Sequence, residues 1–325
     1  MTFTVSYVGS RGLRLPTFVD SNLPPPDTTA TYSFQDFSGK TGAFTVPFFS
    51  GNVPRPNPNV GVVLMGRSVI NSWYHSLVLQ LRRKMSHGFS FDTNFTWAQA
   101  RDNGQTPGVY GTFAGTDTPL NPYDLKSENG LSDLDIRRRF IFTTYWEMPF
   151  GNWTQNDTMK KVVGGWKLSS IWRVQDGRPV TAFMDSFPGN CAFDGGLTCG
   201  LVNNFGASDV GRAPFFARNA RFTTPTLFTT DLRIGRDFKV SERVSMEFLW
   251  EAFNLFNRTN VTGVDNDAFF LNAPTTAPDL SCLAPAGATN FEGCVVPRSR
   301  FLGVQSTGNT LYTARQMQFG AKIRF

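Results

Sequence analysis

Phe89-Ser90-Phe91-Asp92-Thr93-Asn94-Phe95-Thr96-Trp97-Ala98 is the stretch on which the fold turns. Phe89, Phe91, Thr93, Phe95 and Trp97 share one side of a period of two; Ser90, Asp92, Asn94, Thr96 and Ala98 share the other. Successive side chains of an extended chain point to opposite faces, so the run reads as a strand with one apolar and one polar face. The turn Ser86-His87-Gly88 joins it to a second alternating run, in which Leu77, Leu79 and Leu81 oppose Ser76, Gln80 and Arg82. Outward from this hairpin the pattern recurs in Thr2 to Gly9, Arg139 to Met148, Trp166 to Gln175, Leu227 to Val240, Val244 to Phe256 and Arg315 to Phe325. Together these make about eight strands, an even number as antiparallel bacterial barrels have.

Composition agrees. Of 325 residues 40% are hydrophobic and 32 are Phe, yet the mean hydropathy is only -0.22, so apolar residues are interleaved with polar ones. No stretch approaches the roughly 18 uncharged apolar residues of a transmembrane helix, and any crossing must be made by strands. The net charge of +6 does not point to nucleic acid, because the basic residues alternate with apolar ones instead of clustering on a face.

The connections alternate in length. Those at 86–88 and 241–243 are short; those near 10–70, 101–135, 181–225 and 258–313 are long and rich in Gly, Pro, Asn, Asp and Thr. Structureless loops of that length would count against the strands in a soluble domain, but an outer-membrane barrel has short periplasmic turns and long external loops. The segment Gly151 to Gly165 breaks the rule as an overlong periplasmic turn. The expected class is therefore all-β, an antiparallel transmembrane β-barrel portion of residues 1–325 in the bacterial outer membrane. A soluble β-sandwich is the competing reading. Against it, Trp97, Trp146, Trp166 and Trp250 sit near strand ends, where a barrel carries its interfacial girdle.

On this reading Phe91, Phe95, Phe140, Phe142, Trp172 and Phe248 face lipid. A polar lumen receives Arg82, Asp92, Arg139, Glu147, Lys167, Arg173, Arg233, Glu247, Glu251, Lys322 and Arg324, with Glu247 and Glu251 paired to arginines such as Arg173 and Arg233. Four cysteines fall as two close pairs, Cys191 with Cys199 and Cys282 with Cys294, spaced too widely for a C-x-x-C motif and far from either histidine. Two local disulfides in external loops are the expectation, although four cysteines permit three connectivities. His75 and His87 do not assemble a nucleophile and base, and Asp102, Asp133 and Asp135 lack the regular oxygen spacing of a Ca²⁺ loop. No enzyme activity, metal or cofactor is expected.

The C-terminal strand is the most specific feature. Met317, Phe319, Ala321, Ile323 and Phe325 form an apolar row, and Gln316, Gln318, Gly320, Lys322 and Arg324 fill the alternate positions. This end resembles the signal by which the outer-membrane barrel assembly machinery recognises its clients.

Five segments resemble, in order, the barrel of Oar-like TonB-dependent receptors, which often carry an N-terminal carboxypeptidase-regulatory-like domain. They are Val5 to Ser10, Trp73 to Phe91, Gly130 to Phe140, Glu251 to Asn257 and Gln316 to Phe325. The family usually shows His where Arg138 stands, so a role for that ring does not carry over. The resemblance implies a plugged barrel of about 22 strands, of which this chain would be the C-terminal portion. Plug, TonB-contacting segment and export signal would then lie outside these residues, with TonB reached only through the missing N-terminal region. The beginning Met1-Thr2-Phe3-Thr4-Val5 alternates like a strand and carries no basic n-region or apolar h-region, which also suggests a start inside a longer protein. The implied role is uptake or binding of an unidentified ligand. An independent eight-stranded barrel with a structural or adhesion role is the alternative, and a barrel hydrolase a more distant one.

Overall fold

The computed structural model describes residues 1–50, 52–61, 63–104, 120–185, 199–200, 202–203, 207–208, 211–239, 241, 244–272, 291–308 and 313–325. Among them no helix is long and apolar enough to cross a membrane.

Eight long strands build one antiparallel wall, each pairing with the next: β1 (Thr2–Asp20), β2 (Leu64–Ser86), β3 (Phe89–Asp102), β4 (Arg138–Glu147), β5 (Trp166–Gln175), β6 (Leu227–Lys239), β7 (Ser245–Phe253) and β8 (Gln316–Arg324). The short strand Gly130–Leu131 extends the wall beside β3. Directly opposed residues of an antiparallel pair share a face, so the register tests the alternation. Val5, Leu79, Phe95, Phe140, Val174 and Phe228 form one continuous row across six strands. Phe89, Trp146, Leu168, Ile234, Trp250 and Phe319 form another. Both belong to a single apolar face.

At one end the connections are tight. His87 and Gly88, with φ of 55° and 74°, are the two residues between the paired Ser86 and Phe89, as a hairpin turn with positive φ at both central positions requires. A Cβ on Gly88 would stand 2.8 Å from the Glu147 carbonyl oxygen, so glycine also allows the close approach of β4. The connection from β4 to β5 is not open coil: it forms a 3₁₀ turn, Pro149–Trp153, and a helix, α1 (Asp157–Val163). Asn156 caps α1 by accepting from the Thr158 and Met159 amides at 2.9 and 3.2 Å.

The opposite end corrects the expectation of structureless long loops. β1 and β2 run far past the length needed to cross a bilayer, about 9–11 residues, and beyond a bulge near Arg14 (φ 55°) they stay paired to Asp20 and Leu64, at the end where a second sheet is built. There seven strands lie in the order Cys199–Gly200, Thr41–Ser50, Thr28–Gln35, Phe291–Pro297, Asp267–Asn272, Phe183–Asp185 and Gly211–Arg212. Two of these pairings are parallel and bring together remote parts of the chain. Their shared core holds Ala30, Tyr32, Phe48, Met184, Phe269 and Val295, packed on by Phe34, Phe44, Phe215 and Phe216. Phe34 stacks on Phe215 at 4.8 Å, and Phe215 meets Phe269 edge-on at 5.0 Å. This cap was missed because most of its strands have two to seven residues, too few to show a period, and its hairpin Thr28–Ser50 was masked by a Gly- and Pro-rich surrounding.

Candidate functional site

The register puts every residue expected to be luminal on the polar face of the wall. Arg82 stands opposite Asp92, Glu147 opposite Lys167, Arg233 opposite Glu251, and Glu247 opposite Lys322; Arg139 and Arg173 lie two apart on that face, beside Gln175 and Ile141, and Arg324 opposes Ser245. Asp92 is the hub of one cluster, accepting from Gln80 at 3.0 Å and Asn94 at 2.7 Å, with the Arg82 guanidinium 3.8 Å away. Lys167 binds Asp237, and Glu147 accepts from the Tyr145 hydroxyl at 3.0 Å.

A second cluster keeps Arg233 as the expected partner of both glutamates and corrects the place of Arg173. Arg233 reaches Glu247 at 3.4 Å and Glu251 at 3.5 Å, but the other cation on Glu247 is Arg324, at 2.8 Å, and Gln318 donates to Glu251. Arg173 binds Asp231 instead, at 2.8 Å. The reason is geometric: Arg173 opposes Thr229, beside Asp231, whereas Glu247 opposes Asp237 further down β6 and one strand beyond it. Such exposed or half-buried pairs are each worth about 0–1 kcal/mol in water.

Where the polar face meets the cap, Arg139, Arg173 and Arg178 line a cavity of about 300 Å³ with Gln175, Thr224 and Thr262. Among the described residues no carboxylate pairs with Arg139 or Arg178, so the cavity offers guanidinium and hydroxyl donors to an anion.

A buried polar joint ties wall to cap, and sequence reasoning did not find it. Arg218 binds Asp102 and donates to the Glu128 carbonyl oxygen at 2.9 Å, while Arg212 grips the Glu128 carboxylate at 3.1 Å. All four side chains are buried. Asp135 accepts from the Ala100 amide at 2.6 Å, and Asn219 holds the Leu131 carbonyl at 2.9 Å. Burial pushes the Asp135 carboxyl above its ordinary value, against the pull of the Ala100 amide. The segment Gly130 to Phe140 is therefore a clamp that carries the edge of β3 into the cap, and Asp102, Asp133 and Asp135 serve it. No group of His, Cys, Asp and Glu placed to hold a metal occurs among the described residues.

The segment Glu251 to Asn257 has a similar structural explanation. Asn254 (φ 48°) is buried, bonds both the Arg258 and Thr313 carbonyls at 2.9 Å, and ends β7 earlier than the alternation suggested.

The remaining site residues are placed as follows. Met317, Phe319, Ala321 and Ile323 oppose Ala252, Trp250, Phe248 and Met246 in one apolar row, with Phe325 following. The Tyr7 hydroxyl and His75 Nδ1 share a hydrogen bond of 2.5 Å on the apolar face, and His87 lies in the tight turn. Cys191 and Cys282 lie outside the described residues, as does the side chain of Cys199; Cys294 is buried, and its sulfur accepts from the Ser33 hydroxyl at 3.0 Å.

The model of an outer membrane beta barrel domain matches residues 1–318. The chain belongs to this family. It carries a β-barrel domain of the bacterial outer membrane, and barrels of this kind turn their tight connections to the periplasm and their long ones outward. Comparison with curated proteins and with solved structures returns no match.

Proposed function

We propose that this outer-membrane barrel domain is the C-terminal part of the barrel of an Oar-like TonB-dependent receptor, which binds or takes up a ligand and performs no catalysis. The carrying observation is the open wall: β1 and β8 end the strand order, and among the described residues neither has a second neighbour. An outer-membrane wall with two bare edges is completed by further strands, because unpaired backbone groups are not tolerated in hydrocarbon. The five ordered segments of family resemblance point the same way.

On this reading the apolar face meets outer-membrane lipid and the polar face lines the lumen. The terminal row ending in Phe325 engages the barrel assembly machinery, and TonB is reached through the N-terminal region. The guanidinium-lined cavity under the cap would meet ligand at the mouth. The alternative, an independent eight-stranded barrel, requires β1 to close on β8. Exporting residues 1–325 alone and assaying outer membranes for a heat-modifiable, protease-resistant barrel separates the two. Assembly only together with the N-terminal remainder of its gene product is expected; efficient assembly alone would establish the small barrel.

A further inference from the structure

The helical connection between β4 and β5 sits on the apolar side of the wall, not beneath the polar face. The Arg236 side chain fixes it there. Arg236 opposes Trp166 and Phe248 in the register, so it projects from the apolar face at the periplasmic rim. Its guanidinium lies 5.0 Å from the Trp166 ring centre and 4.3 Å from that of Phe238. It donates to the carbonyls of Lys161 at 2.9 Å, Gly164 at 3.3 Å and Val162, the final turn of α1 and the residue after it. A chain of rings leaves the wall on the same side: Trp146 meets Phe150 at 6.3 Å, and Phe150 meets Trp153 at 4.7 Å.

The segment then presents apolar groups with nothing over them. Trp153 is 76% exposed, Met159 49% and Val162 55%. Lys160 and Lys161 stand beside them at the end of α1. Large exposed apolar side chains next to two cations, continuous with a lipid-facing wall, have the composition of an interfacial anchor. We propose that Pro149–Val163 lies in the headgroup region of the inner leaflet, with Trp153, Met159 and Val162 entering the acyl boundary and Lys160 and Lys161 binding anionic phospholipid headgroups. The proposal rests on the reading that the apolar face meets lipid.

The test uses the full chain within the membrane-inserted barrel, in bilayers of phosphatidylethanolamine with or without phosphatidylglycerol. Subtracting the emission of a Trp153→Phe variant isolates Trp153. Lipids brominated near the carbonyl end should quench it roughly twofold, as a residue at the headgroup boundary requires. Emission at the aqueous maximum, open to iodide and unquenched by these lipids, overturns the proposal, as does shielding that appears only on adding a periplasmic protein extract. Lys160→Glu combined with Lys161→Glu should reduce quenching in phosphatidylglycerol bilayers and leave it unchanged in phosphatidylethanolamine alone; equal quenching in both removes the headgroup role. Trp172, mid-wall on the apolar face, is the control, isolated in the same way with Trp172→Phe and read in bilayers of lipids brominated deep in the acyl chain, which reach the midplane. If Trp172 is quenched and Trp153 is not, the anchor alone fails; if neither is quenched, the face assignment fails with it.

Discussion

The wall and the cap are both β-sheet, but they solve burial in opposite ways. In the wall, aromatic side chains stay open: Phe319 is 83% exposed and Trp97 56%, because both faces await a medium and not a second layer. In the cap, Tyr32, Phe269 and Val295 are fully enclosed, as in a soluble domain whose sheet must cover itself. The wall's stability therefore depends on the bilayer and on strand pairing, the cap's on packing between its own segments. One chain carries two cores with different solvents.

That division can be broken most sharply at the joint. Arg218→Ala strips the buried Asp102 carboxylate of its guanidinium, which costs about 3–5 kcal/mol where one partner of a buried pair is removed. The cap should then detach, seen as new protease cleavage in residues 120–135 while the wall remains heat-modifiable. Simultaneous loss of the wall would show that the two regions are one cooperative unit.

Phe269→Ala tests the cap alone. Removing a ring of zero exposure should destabilise it by about 3–5 kcal/mol, read as faster hydrogen exchange in Thr28–Gln35 and Phe291–Pro297 without change in β3 to β6. Phe319→Lys tests the wall alone, at about 2–4 kcal/mol for a charge on the lipid face near the midplane. Its outer-membrane yield should fall, as should that of a variant lacking Phe325, whereas Gln318→Ala on the polar face should insert normally. Equal yields for all three would sink the face assignment.

The smallest effect separates the regions by pH. A hydrogen bond from the Ser38 hydroxyl, at 2.5 Å, outweighs desolvation and holds the Asp36 carboxyl below its ordinary 3.8, with the Ser38 and Lys40 amides and Arg221 assisting. A folded value below the unfolded one gives stabilisation that is fully present above 3.8 and is lost as pH falls through the folded value. Acid titration below that point should loosen the turn Asp36 to Lys40 in wild type, and Asp36→Asn should flatten the response.

The wall was legible because its information is local. Phe89 to Trp97 carries its period within ten residues, and the observed register repeats it across the sheet. The cap was not, because its strands are short and find partners far along the chain. Arg212 and Arg218 look like any loop arginines until Glu128 and Asp102 are brought to them. The connection Gly151 to Gly165 stood out by length, and Asn156 before Asp157 was a cap signal in plain view; what no local pattern could reveal was Arg236, 72 residues past Gly164, holding its end.

The parallel pairing of Thr31 to Phe34 with Phe291 to Val295 has a consequence in time. Its two strands are separated by almost the entire chain, so the loop it closes is among the longest the molecule can make, and non-local pairings of this kind form slowly. The wall hairpins β2–β3 and β6–β7, by contrast, close through tight turns between neighbours in sequence. The cap sheet is therefore expected to close after the wall's tight hairpins, when the stretch around Cys294 reaches Ser33. Pulse-labelled chains should show protease-resistant wall fragments before resistant cap fragments, the cap being the youngest part of the finished protein.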